Sequence, residues 1–223
     1  MKGLVAVIGA SAAALAIVAP GASGVPVSGP AVTPSQHVGG KSYAQWLTAD
    51  WQFLLSHGHL RTEAPNQMLH CLSQGQHGKV WFLQDAYEGP TPVSVSCTIP
   101  GGRYLFLEGP GFECSTIEPA PYNAPRSRLA KCAASFKLKG LEVSVDGTPV
   151  TASGFEVATP VFKFGIPARG NVLRATGRTR GLGAAHADTL MLRPLTPGAH
   201  TIVQVEHFAS GKSAQTIWQL TVH

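Results

Sequence analysis

The chain has 223 residues, a formal net charge of +5, only 13% charged residues, 25 glycines and 17 prolines. That length suits one β-rich domain, and the charge is too modest to argue for nucleic acid on its own. Low charge with frequent Gly and Pro suits a loop-rich extracellular β domain.

In chain order, Lys2 is followed by the apolar run "GLVAVIGASAAALAIVAP" and by the small residues of "GASG". Charge, apolar core and small residues in that order mark a secretory signal peptide over 1–22, with cleavage expected after Ala22 or Gly24. The run is near the lower limit for a spanning helix and is weakened by Gly9 and Pro20, so no stable membrane anchor is expected after processing. Residues 23–41, rich in Pro, Gly and Ser, read as a flexible leader. Residues 42–223 read as a single β-sandwich domain.

"SYAQWLTADWQFLLSHG" (42–58) is the clearest helix. Ser42 and Gln45 have the spacing of a capping box. Tyr43, Trp46, Leu47, Trp51 and Leu54 recur on one face, and Gly58 is a natural stop. That face is expected to pack on a sheet.

The pattern then changes to period two. Strands are predicted over 79–84, 92–99, 103–108, 141–147, 155–165, 188–194, 200–208 and 215–222, with Pro160 making the fifth an edge strand or two strands. "IPGG" (99–102), "LTPGAHTI" (195–202) and "SGK" (210–212) read as hairpin-like connections. A short helix is expected within 124–135. The fold class that follows is mainly β: an antiparallel sandwich or jelly roll with one amphipathic helix packed on it.

Cys71, Cys97, Cys114 and Cys132 make an even set in a chain expected to be exported, which argues for two disulfides rather than a metal site. Zinc would favour C-x-x-C pairs, and there are none. Of three connectivities, the local one, Cys71–Cys97 and Cys114–Cys132, is preferred. Each loop would contribute roughly 3 kcal/mol in the chain-entropy account.

Several stretches could carry chemistry. "GQHGKV" (75–80) offers Gly75, Gly78 and Lys79 but runs into a strand, so no helix N-terminus is there to hold a phosphate. "EHFASGKS" (206–213) has Glu206 where a phosphate loop needs glycine. Both are read as turns. Glu113 and Glu118, flanking Cys114 in "GFECSTIEP", could act as acid and base or nucleophile on a glycosidic bond, or hold a hard cation. Ser115 lacks a G-x-S-x-G setting. His57, His59, His70 and His77 could ligate a transition metal but lack an H-E-x-x-H pattern; neither metal nor cofactor is expected. From Val157 to Ala187 there is no acid, while Lys163, Arg169, Arg174, Arg178 and Arg180 fall there. Arginine suits planar anions and stacks on sugars. The glycines of "GNVLRATGRTRGLGAAHA" suggest a long mobile loop.

"CLSQGQHGKVWFL" (71–83), "CTIPGGRYLFL" (97–107), "ECSTIE" (113–118), "VSVDGTPV" (143–150) and "PLTPGAHTI" (194–202) occur together and in this order. The set resembles a group of secreted bacterial proteins carrying C-x-x-G-Q-x-G-x-V-W-F-L, E-C-S-x-x-E and P-L-x-P-G-x-H-T-I motifs, over most of residues 46–222. The group has no assigned activity, so the resemblance implies a shared fold and export. Where the group tends to have A-D-G-Y-W, this chain has "HADTLML" (186–192).

The expected function is a secreted, disulfide-bonded, non-catalytic module binding a surface or polyanionic glycan through Arg169, Arg174, Arg178 and Arg180. An acidic cell-wall or extracellular polysaccharide is the expected partner, and nucleic acid is not. The alternative is a secreted glycan hydrolase using Glu113 and Glu118.

Overall fold

A computed structural model of the chain describes residues 30–57, 76–83, 92–150 and 154–223. The expected signal peptide, Cys71, Gly75, His59 and His70 lie outside the described residues.

Helix α1 (Tyr43–His57) forms where the periodicity places it. Its first turn is closed by the capping box: the Ser42 amide donates to Gln45 Oε1 at 2.9 Å, and the Gln45 amide approaches Ser42 Oγ at 3.4 Å. The buried face carries Tyr43, Trp46, Leu47, Trp51, Phe53 and Leu55. Its polar ring atoms are satisfied as they are buried. Trp46 Nε1 donates to Val38 O at 3.0 Å, and Tyr43 Oη donates to Val32 O while accepting from the Met191 amide at 3.0 Å.

Those bonds correct the expected leader. Strand β1 (Ala31–Val32) pairs with Met191 and Leu192 in a sheet, and Val32 and Val38 are buried in the core with α1. The tail end of 23–41 is therefore part of the fold, because two valines and two carbonyls there complete the helix packing.

Two sheets pack face to face, giving the expected sandwich. The first contains β1, β2 (Val80–Leu83), β4 (Tyr104–Ser115), β7 (Phe155–Ala158), β8 (Phe162–Gly165) and β9 (Arg180–Leu192). The second runs β3 (Val93–Ile99), β11 (Ser213–Val222), β10 (Gly198–Phe208), β5 (Leu138–Val145) and β6 (Thr148–Pro149). In the first sheet β9 is central. β4 pairs along one edge, while β8, β7 and β1 share the other. Pro160 sits in the gap between β7 and β8, as its missing amide requires.

Alternation along β9 sorts two cores. Ala185, Ala187 and Met191 face the α1 core with Trp46, Leu47 and Phe106. Leu190 and Leu192 face the second sheet with Trp218, Ile202 and Leu141. A strand covered on both faces is apolar nearly throughout, which is the reason its central segment lacks a clean period of two.

Two expected hairpins are crossovers instead. The 99–102 turn takes the chain from β3 in the second sheet to β4 in the first, and 195–197 takes it from β9 back to β10. Each turn signal was genuine, but a turn does not choose the strand's partner. β3 pairs in parallel with β11, and the Gly101 amide donates to the His223 carbonyl. β10 and β11 do form a hairpin, closed by the Phe208 amide donating to Lys212 O at 2.9 Å. β2 and β4 are also parallel, so the sheets are mixed rather than purely antiparallel.

The expected short helix is a 3₁₀ turn (Arg126–Arg128) running into α2 (Leu129–Ala133). Leu129 is buried against Cys114 and Ala184, and Ala133 is buried as well. The Cys114–Cys132 disulfide ties α2 to β4. Cys97 is not free; its expected partner, Cys71, is outside the described residues. No helix among the described residues is long and apolar enough to cross a membrane.

Candidate functional site

The far end of the first sheet, where β4 finishes and β9 begins, collects the residues singled out for chemistry. Glu113 sits opposite Ala185, and Ser115 opposite Gly183. Glu113 is only 5% exposed, and neither of its carboxyl oxygens receives a hydrogen bond from a protein donor among the described residues. Gly183 makes the space: a Cβ there would lie 2.6 Å from Glu113 Oε1 and 3.2 Å from the Phe162 ring.

The polar neighbour of Glu113 is Glu118. Besides burial, Glu118 raises Glu113 both as a hydrogen-bonding neighbour and through its charge. Ionised carboxylates only accept hydrogen bonds, so a direct bond between the two would need a proton on one of them. Burial, reinforced by Glu118, pushes Glu113 well above the ordinary glutamate range. Burial also raises Glu118, against the opposing pull of Glu113 and of Ser115. Two neighbouring carboxyls that are both raised are expected to titrate as a pair. Ser115 fixes the second member: its Oγ donates to Glu118 Oε2 and accepts from the Glu118 amide, both at 3.1 Å.

A carboxyl pair of this kind can supply an acid and a base side by side. Glycosidase carboxyls instead stand about 5–10 Å apart, leaving room for the anomeric carbon or a water between them. Here Glu113, one of the two, is buried rather than set in an open cleft.

The arginine span is more ordered than its glycine content suggests. Between β8 and β9, Ile166, Leu173 and Ala175 are buried in the α1 core. Asn171 is buried and braces the turn: Oδ1 accepts from the Ala175 amide at 2.9 Å, and Nδ2 donates to Ala175 O at 2.9 Å. Arg174 takes a φ of 53° there. From Arg180 onward the expected loop is strand β9. Lys163, Arg169, Arg174, Arg178 and Arg180 are all exposed. No carboxylate pairs with any of them among the described residues. An open groove of ≈ 590 Å³ between α1 and β8 is bordered by Gln52, Ser56, Lys163, Ile166, Thr179 and Arg180.

Other expectations find structural roles. Gly78 takes a φ of 88°, the turn conformation expected for "GQHGKV". Gln76, not singled out from sequence, pairs its side-chain amide with both backbone groups of Phe82, at 2.7 and 2.9 Å, and so edges β2. His57 Nδ1 lies 2.7 Å from the Phe53 carbonyl at the end of α1. No group of three or more His, Cys, Asp or Glu among the described residues could hold a metal ion. Sequence reasoning also passed over a second acid-free stretch, 119–141, with Arg126, Arg128, Lys131, Lys137 and Lys139. Its signal was the one used for 157–187.

The molecule is thus a two-sheet sandwich with a helix on one outer face and a cationic end. Comparison with protein-family models, curated proteins and solved structures finds no match.

Proposed function

We propose that the chain is an exported, non-catalytic module that binds a polyanionic glycan or similarly acidic surface through Lys163, Arg169, Arg174, Arg178 and Arg180. The observation that carries this reading is a set of exposed cations without carboxylate partners among the described residues, mounted on a segment pinned by Asn171 and Leu173. Pinning lowers the ordering cost of binding. Each exposed contact contributes little, about 1 kcal/mol or less, but a repeating polymer engages several at once and raises the effective concentration of the next. The burial of Glu113 favours this reading over hydrolysis by that pair.

Heparin chromatography tests it. The wild type is expected to elute at higher salt than an Arg174→Ala, Arg178→Ala, Arg180→Ala variant. Coincident elution would remove the arginine span from the binding face. Export is part of the same proposal. The protein recovered from culture supernatant should begin near Ser23 or Val25 by intact mass, and full-length chain confined to the membrane fraction would contradict it.

A further inference from the structure

A second cationic surface lies on α2's side of the same sheet end, and it carries aromatic rings. The Phe112 ring of β4 stacks on Phe136 with centroids 4.0 Å apart and planes 11° from parallel. Tyr122 stacks on the Phe136 ring in turn, at 5.6 Å and 26°. Tyr122 is 36% exposed, one of only two large hydrophobic side chains among the described residues to reach that level. Phe112 and Phe136 are half-buried.

The rings are held in place from several directions. The Ser115 amide donates to Tyr122 O at 3.1 Å, and the next residue but one returns the bond, Ala124 N–H to Ser115 O at 3.0 Å. Phe136 packs on the small core of Cys114, Leu129 and Ala184. The Cys114–Cys132 bridge fixes α2 to the strand beneath. Arg126, Arg128 and Lys131 on this segment are exposed, and no carboxylate pairs with them among the described residues.

We infer that Tyr122, backed by Phe136 and Phe112 and followed in the chain by the exposed Arg126, Arg128 and Lys131, forms a stacking platform for one unit of an acidic polysaccharide. A flat apolar ring suits the C–H face of a sugar, and guanidinium groups beside it suit carboxylate or sulfate substituents. The platform needs no rearrangement to present its ring, since the stack beneath Tyr122 is already formed. The inference rests on the glycan-binding reading above and adds to it a defined subsite on a different segment.

The test measures heparin affinity of the protein expressed from the full-length sequence, with neutral dextran and single-stranded oligothymidylate as comparison ligands. Tyr122→Ala is expected to weaken heparin binding about threefold to tenfold, whereas Tyr122→Phe keeps the ring and the affinity. An Arg126→Ala, Arg128→Ala, Lys131→Ala variant should elute from heparin at lower salt and show a shallower salt dependence. These cations are exposed, so the triple variant folds even if Tyr122→Ala does not. If wild type binds heparin, the Arg174, Arg178, Arg180 variant loses affinity, and the Tyr122→Ala and α2 variants match wild type, the platform is wrong and the arginine reading survives. If wild type fails to bind heparin at all, both fall. If oligothymidylate binds as tightly as heparin and Tyr122→Ala weakens both equally, the ring stacks bases, and the assignment to an acidic sugar is overturned.

Discussion

The two ends of the first sheet are built on opposite principles. At the β1 end, Leu105, Phe106 and Leu107 of β4 face Leu190, Met191 and Leu192 of β9, and all six are fully buried. Both faces are covered there, one by α1 and the other by the second sheet. At the opposite end the same two strands carry Gly111, Glu113, Ser115, Gly181 and Gly183. Gly183 clears space that Glu113 fills, Gly181 clears it for Phe164 and Ile117, and the exposed Arg178 and Arg180 lead into this end of β9. The difference teaches that one pair of strands supplies both the stability of the fold and its polar site, divided along their length.

The same division is visible in the two glutamates of β4. Glu108 accepts a hydrogen bond from Trp51 Nε1 at 3.0 Å. Glu113 meets another carboxyl.

The largest expected effect comes from breaking the apolar end. Leu107→Ala, at a fully buried position, should cost about 2–5 kcal/mol in denaturant unfolding. A loss well under 1 kcal/mol would mean that this end is not the stabilising one. At the polar end, Gly183→Ala drives a methyl group toward Glu113 Oε1, and about 1–3 kcal/mol of destabilisation is expected from overpacking. Glu113→Ala in the same chain should relieve part of it. Simple additivity of the two changes would show that the residues do not share the space.

A smaller effect sharpens the contrast through pH. Glu113 is raised in the fold, so the folded protein keeps a proton that the unfolded chain has lost. The Glu113 contribution to stability should be full below about pH 4.5, the ordinary glutamate value, and decline as pH rises through the raised folded value. Glu113→Gln supplies a permanent donor to Glu118, so its stability should lack this decline between pH 5 and pH 9, as read from unfolding midpoints. Identical pH profiles for wild type and Glu113→Gln would mean that Glu113 is not raised in the fold.

The smallest effect lies away from both ends. His200 Nδ1 is 2.7 Å from Asp146 Oδ2, and Nε2 is 2.8 Å from the Thr196 carbonyl. The Asp146 contact raises His200 and lowers Asp146. The His200 contribution is full below its ordinary value of 6.5 and disappears as pH rises through the raised folded value. The Asp146 contribution is present above its ordinary value of 3.8 and disappears as pH falls through the lowered folded value. Asp146→Asn should bring the His200 imidazole titration, followed by NMR, back toward 6.5. An unmoved titration would dissociate the two groups.

Much of the architecture was legible because it is written in local periods. The cap at Ser42 and Gln45, the break at Pro160 and the alternation of β3 and β10 each follow from residues next to one another in the chain. Strand partners were less legible: the turn at 99–102 looks the same whether the next strand lies beside the last one or in the other sheet. The carboxyls were identifiable as neighbours of Cys114, but the burial of Glu113 depends on the hollow at Gly183, which is remote in sequence. The arginine segment looked mobile by its glycines, and the anchors that hold it, Asn171, Leu173 and Ala175, lie among them. The Tyr122–Phe136–Phe112 stack joins a strand, a loop and the residues after a helix, and no local pattern announces it.

The central claim is that the cationic end of this sandwich holds an acidic glycan. Its most direct measurement is calorimetric titration of the protein with a heparin oligosaccharide at about 0.1 M and about 1 M salt, where the screening length shrinks from about 10 Å to about 3 Å. The account predicts measurable binding at the lower salt and its near-complete loss at the higher. No binding at the lower salt, or binding of equal strength at both, would contradict it.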